Sequence, residues 1–165
     1  KGKTMKFLEA LEKLKESEIF KNWNKDHKDS FLAHGFIMSS EKSEGEWQIG
    51  FFNPKSLKVL TFVILNEITM NPESEVMNKE IIALDINLIK STVDEAFEKA
   101  DEVQKEKYST HLPLKKMAIL QNSPEGQVWN ITLITRTFKT LNIHVSTLNG
   151  EVVKDQLVEI FSFDK

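Results

Sequence analysis

The sequence predicts an α+β fold: a tandem repeat of two α-β-β-β-β units whose antiparallel sheet carries two helices packed on one face. Three observations lead there. The same residue classes return in the same order in the two halves, apolar residues alternate with period two in several segments, and each half opens on a stretch with apolar residues at three- and four-residue spacing. The repeat is legible in four blocks. Residues 9–16 (EALEKLKE) match 95–102 (EAFEKADE), 47–52 (WQIGFF) match 129–134 (WNITLI), 56–64 (SLKVLTFVI) match 137–145 (TFKTLNIHV), and 80–85 (EIIALD) match 159–164 (EIFSFD). The first unit is therefore expected at residues 1–85 and the second at 86–165. No linker separates them, so they should pack as one body.

The first helix should begin near Thr4, whose hydroxyl can cap free amides, and present Phe7, Leu11 and Leu14 on one face. In the second unit Asp85 is a natural N-cap, and Ile86, Ile89, Val93, Ala96, Phe97, Ala100 and Val103 recur at helical spacing. Trp47, Ile49 and Phe51 alternate with Gln48, Gly50 and Phe52, and Leu60, Phe62 and Ile64 with Thr61 and Val63. In the second half Trp129, Ile131 and Leu133, then Leu141, Ile143 and Val145, repeat the pattern. Such alternation marks strands of an antiparallel sheet covered on one side. Earlier strands are expected at 32–38 and 114–121, and final ones at 80–84 and 159–163. Gly45, Gly126, Asn53-Pro54 and Asn149-Gly150 supply the turns. Trp47 and Trp129 should lie beneath the helices, and Trp23 should pack at a helix end.

Residues 141–153 (LNIHVSTLNGEVV) resemble the end of PepSY domains, where a strand runs into a TGE-like turn and a short apolar strand; here LNGE stands in place of the threonine-glycine form. The helix-then-sheet order is similar to the cystatin-like plan, and two such units in tandem look like the overall plan of the β-lactamase inhibitor proteins, although their cysteines are missing here. This resemblance implies a non-catalytic binding protein with helices behind the sheet and an open face in front.

Composition narrows the function. With 40% apolar residues in 165 the chain can bury a genuine core, and with no cysteine that core must stand without disulfides or thiolate chemistry. Twenty-two basic and twenty-five acidic residues are interspersed, giving a formal charge of −3 and no stripe suited to a phosphate backbone, so no nucleic acid partner is expected. No apolar run is long enough to span a bilayer, which argues against a membrane partner and for a cytoplasmic setting unless a leader has been removed. Glycine-rich phosphate loops, nucleophile elbows and HExxH spacing are all missing, so neither cofactor nor metal is expected. The four histidines read as solvated surface groups, and the chain as no enzyme; catalysis would require His34 or His144 to meet a carboxylate across the sheet.

What remains is the face of the sheet opposite the helices. Gln48, Phe52, Val63, Asn130, Thr132, Ile134, Asn142 and His144 fall on it by strand parity, and isolated apolar anchors among neutral hydrogen-bonding groups resemble protein interfaces. A protein or peptide is the expected partner, with self-association of the face or an edge as a competing use. The alternative is a carrier holding a small apolar ligand between helix and sheet.

Overall fold

A computed structural model describes residues 4–39, 45–76 and 80–159. The chain forms helices α1 (Phe7–Glu16) and α2 (Glu18–Lys25), strands β1 (Phe31–Ser39), β2 (Trp47–Asn53), β3 (Lys58–Ile64), β4 (Ile68–Met70) and β5 (Ser74–Glu75), then a 3-10 turn (Ile86–Leu88). Helix α3 (Val93–Lys107) and strands β6 (Pro113–Ser123), β7 (Gly126–Thr135), β8 (Lys139–Ser146) and β9 (Val152–Glu159) complete it. The strands make one sheet in the order β4-β3-β2-β1-β6-β7-β8-β9, with β5 also on β3. Every pairing is antiparallel. The expected α+β architecture is thus present, with a single sheet and with helices on one side of it.

Register runs alike on both sides of the β1–β6 seam. Trp47 stands opposite Ile64 in the first half, and Trp129 opposite Val145 in the second. At the seam Phe36 faces Ile119, with Gly35–Leu120 and Ile37–Ala118 on either side. The two hairpin turns that follow the tryptophan strands also match: each carries a bulky residue in the left-handed region, Leu57 at φ 60° and Phe138 at φ 61°.

The core lies between the helices and the sheet. Phe7, Ala10, Leu11 and Leu14 of α1, and Val93, Ala96, Phe97 and Ala100 of α3, are buried against Trp47, Ile49, Phe62, Leu120, Trp129, Ile131 and Ile143. Alanine at three of these helix positions gives no side chain to hold the helix axis off the sheet. The two indoles sit 6.2 Å apart at the centre. Trp47 Nε1 donates to the Met5 carbonyl at 2.7 Å and Trp129 Nε1 to Ser91 Oγ at 3.0 Å, so each ring holds the residues that lead into one helix. Truncating either indole to alanine would remove about 3–5 kcal/mol of packing.

Comparing positions of equal register on the two sides of the seam shows one size difference. Phe7 rests on Gly35, where an added Cβ would lie 2.4 Å from the ring; the corresponding pair in the second half is Val93 and Ala118. The smaller helix residue goes with the larger strand residue.

Several expectations are corrected. Lys6, not Thr4, is the N-cap of α1 and makes no side-chain cap bond; the Thr4 amide instead donates to Asp94 Oδ2. The first helical stretch breaks at Ser17, whose Oγ accepts from the Phe20 amide and starts α2. This turn swings Phe20 and Trp23 onto Phe51 and Phe62. Asp85 caps only the 3-10 turn, whereas α3 starts after a capping box on Thr92 and Glu95. The strand expected at 80–84 is no strand; β4 takes that place in the sheet, and 80–85 cross the sheet end with the Leu84 amide bonded to the Leu32 carbonyl. The last described strand is β9, which ends at Glu159; the rest of the strand expected at 159–163 lies outside the described residues.

Two stability predictions follow. Gly35→Ala should cost about 1–3 kcal/mol by overpacking, and in urea denaturation the Phe7→Val/Gly35→Ala double variant should lose at least about 1 kcal/mol less than the sum of the single variants. Phe138 is 72% exposed, so Phe138→Gly removes left-handed strain without losing packing and should raise stability by about 0.5–1 kcal/mol.

Candidate functional site

On the face away from the helices, paired residues form one continuous row across eight strands. It reads Thr69, Val63, Gln48, Phe36, Ile119, Asn130, His144, Lys154, each opposite the next. A second row runs beside it through Met38, Met117, Thr132, Asn142 and Gln156. Strand parity alone puts these side chains on one surface. Six of the eight expected site residues, Gln48, Val63, Asn130, Thr132, Asn142 and His144, therefore stand in two adjacent rows. Ile134 lies one row further along, opposite Thr140.

Phe52 does not join them. It is 2% exposed and forms a second small core with Ala33 and Val59, against which Phe31, Leu57, Val76 and Ile81 pack. The crossing segment covers this end of the face, so Phe52 is a structural residue and no free anchor. His144 is also corrected: at 6% exposure it is buried, and its Nδ1 lies 2.6 Å from Glu125 Oε1 in the β6–β7 turn. The reading of all four histidines as solvated fails for His34 as well, as described below. Four apolar residues of the face, Phe36, Met38, Met117 and Ile119, were not assigned to it from the sequence. Alternation of His34, Phe36 and Met38 with Gly35 and Ile37 was the available signal.

The surface grades from apolar to polar. Phe36, Met38, Met117 and Ile119 occupy the seam, whereas the second-half strands carry a hydrogen-bonded amide cluster. Asn142 Nδ2 donates to Asn130 Oδ1 at 2.5 Å, to the Ile131 carbonyl at 3.3 Å and to Thr132 Oγ1 at 3.4 Å. These contacts fix the amides before any partner arrives. The Gln48 amide and the Asn130 NH2 make no bond to a described residue and can still bind.

The His144–Glu125 pair meets the geometric condition set above for catalysis, but its surroundings do not assemble a nucleophile. The nearby Ser123 hydroxyl lies 3.1 Å from both Glu125 Oε1 and the Gly126 carbonyl, so its one proton is directed at these oxygens. Bonding to His144 holds the Glu125 carboxyl below its ordinary value. Among the described residues no cluster of three histidine, cysteine or acidic side chains could hold a metal. No described helix is long and apolar enough to cross a membrane.

His34 lies flat over Gly50, where an added Cβ would come within 2.0 Å of the ring. A β-bulge between Leu32 and His34 sets it there. Burial lowers its pKa from the ordinary 6.5, and no described residue hydrogen-bonds the ring. Because the unfolded chain binds the proton more readily, stability should be flat above pH 6.5 and fall as pH drops below it. Glu125 has a depressed pKa, so its contribution is complete above pH 4.5 and is lost as pH falls through the lowered value. Denaturation followed against pH should show both limbs; His34→Asn should remove only the upper one, and Glu125→Gln should flatten part of the lower.

Comparison with protein-family models finds no match, and comparison with curated proteins finds none either. Among solved structures the chain is similar to a "putative lipoprotein" from Clostridium difficile 630, with a TM-score of 0.59 at 11% identity over 95% of each chain. At that identity the likeness is one of fold: the arrangement of helices and sheet described above is shared by a second protein along nearly its whole length.

Proposed function

We propose that this protein is a non-enzymatic binding or scaffold module that captures a protein or peptide on the open face of its sheet. The observation that supports this most directly is the unbroken eight-strand row, in which Val63, Phe36 and Ile119 stand between and beside Gln48 and Asn130. Apolar groups at the middle would supply affinity, and fixed amides at Asn130, Asn142 and Thr132 would set register. Preorganisation by the Asn142 bonds lowers the ordering cost of binding.

The two halves are read in the same proposal as copies of one α-β-β-β-β unit, supported by the common register around Trp47 and Trp129 and by the matched left-handed turns. The PepSY-like and cystatin-like reading rests on the β8–β9 hairpin, where Gly150 takes the left-handed φ 73° near the end of the connection between Ser146 and Val152. A cytoplasmic setting belongs to this reading; the lipoprotein name of the structural neighbour favours a membrane-anchored one, and fractionation of cells making the natural full-length protein decides between them.

Site-specific photo-cross-linking tests the surface. A benzophenone side chain at Gln48 or Thr132 should form polypeptide adducts in cells of the source organism, and the same group at Glu98 on α3 should not. Equal labelling from the helix side would remove the open face as the binding surface.

A further inference from the structure

The β7–β8 hairpin ends on a residue that packing does not explain. Phe138 holds a left-handed φ of 61° and is 72% exposed. A bulky side chain in that region costs conformational energy, and no burial offsets it here. Its counterpart in the first half, Leu57 at φ 60°, packs against the small core around Phe52. Backbone strain kept without a packing gain points to function.

Phe138 is not alone at this end of the sheet. The segment leading into β6 runs beside the hairpin tip: the Arg136 amide donates to the Leu112 carbonyl at 2.8 Å, and His111 Nδ1 lies 2.6 Å from Thr137 Oγ1. Leu112 and Leu114 on that segment are 53% and 56% exposed. The tip is also braced. Thr135 Oγ1 donates to the Lys139 carbonyl at 2.7 Å, and Gln104 Nε2 of α3 donates to the Tyr108 and His111 carbonyls, both at 3.2 Å. Three large apolar side chains are thus held out in water by a backbone that is already fixed.

Charge names the partner. Residues 107–124 and 126–150 contain no aspartate or glutamate, although the whole chain carries twenty-five, and the chain's only arginine is Arg136. Lys107 and Lys116 are paired with Asp155 and Asp101, and Lys139 stands opposite Glu159. Arg136 and Lys115 are exposed and have no acidic partner among the described residues. Apolar side chains flanked by unpaired cations suit an anionic bilayer surface, where acyl chains lie just beneath phosphates. A nucleic acid would engage the cations and leave the two leucines in water.

We propose that this end of the molecule docks on an anionic lipid bilayer, with Phe138, Leu112 and Leu114 entering the interface and Arg136 and Lys115 set on headgroup phosphates. Such a contact needs no spanning helix, so the expectation of no membrane partner, which rests on the missing spanning run, does not extend to it. Asn130 lies roughly 16 Å along β7 from Thr135 at a strand rise of about 3.3 Å per residue. The row through Gln48 and Asn130 therefore stays clear of the membrane.

Co-sedimentation of the whole chain with lipid vesicles is the test. At about 0.1 M salt, phosphatidylcholine vesicles containing about one-third phosphatidylglycerol should bind at least about tenfold more tightly than pure phosphatidylcholine. Phe138→Gly should fold at least as stably and bind at least about fivefold more weakly. Leu114→Ser, at a second exposed position, and Arg136→Gln should each lose at least about threefold on anionic vesicles. In Phe138→Trp, lipids brominated in the acyl chain should quench the added indole, whereas the emission of the unsubstituted chain should not change. No binding to anionic vesicles, equal binding to neutral ones, undiminished binding by Phe138→Gly and Leu114→Ser, or an unquenched indole in Phe138→Trp would each overturn the proposal. Single-stranded RNA bound as tightly as the vesicles, and unaffected by Phe138→Gly, would overturn it in favour of a nucleic acid.

Discussion

The contact between the two indoles at the centre of the molecule governs how the rest is arranged. Trp47 and Trp129 belong to different halves, yet they meet beneath the helices, and each spends its single N–H on the chain just before a helix begins. A buried indole N–H without a partner costs about 1–3 kcal/mol, so both helix starts are tied to the sheet centre. Helix position then follows from strand register. With the helices so placed, the other face is left to Phe36, Ile119 and the amides, and the proposed binding surface is a consequence of which side the tryptophans took.

Much of this was legible in residue order. Period-two alternation located β2, β3, β7 and β8 and assigned their faces, because a strand that slips by one residue exposes its whole apolar set. The matched tryptophans identified the core side for the same reason. What alternation does not encode is what covers a face from outside its own strand. Phe52 has the parity of an open-face residue and is nevertheless buried, because Val76 and Ile81, far along the chain, fold back onto it. The stretch 80–84 failed differently: Leu84 is buried and Ile81 packs on the small second core, but Ile82 stays largely exposed, and the Leu84 amide bonds to the Leu32 carbonyl of β1 without a strand ladder.

The candidate site was half visible. Gln48, Val63, Asn130, Thr132, Asn142 and His144 were placed on the correct face, but His144 proved to be a buried tether for Glu125. The placement of His34 escaped because it depends on a glycine three positions after Trp47 and on a β-bulge between Leu32 and His34. A glycine inside a strand often signals close approach by another group, and Gly50 has that role here.

The seam between β1 and β6 sets the order of assembly. Within each half, consecutive strands join through short hairpins whose ends need travel only a few residues, and such closures are fast. Phe36 and Ile119, in contrast, are partners across about half of the chain, and the entropy of closing that loop must be met before the pairing returns anything. Each half can therefore collapse around its own tryptophan while a raw strand edge stays uncovered. Until the seam zips, that edge is the place where a nascent chain would join a neighbour in error.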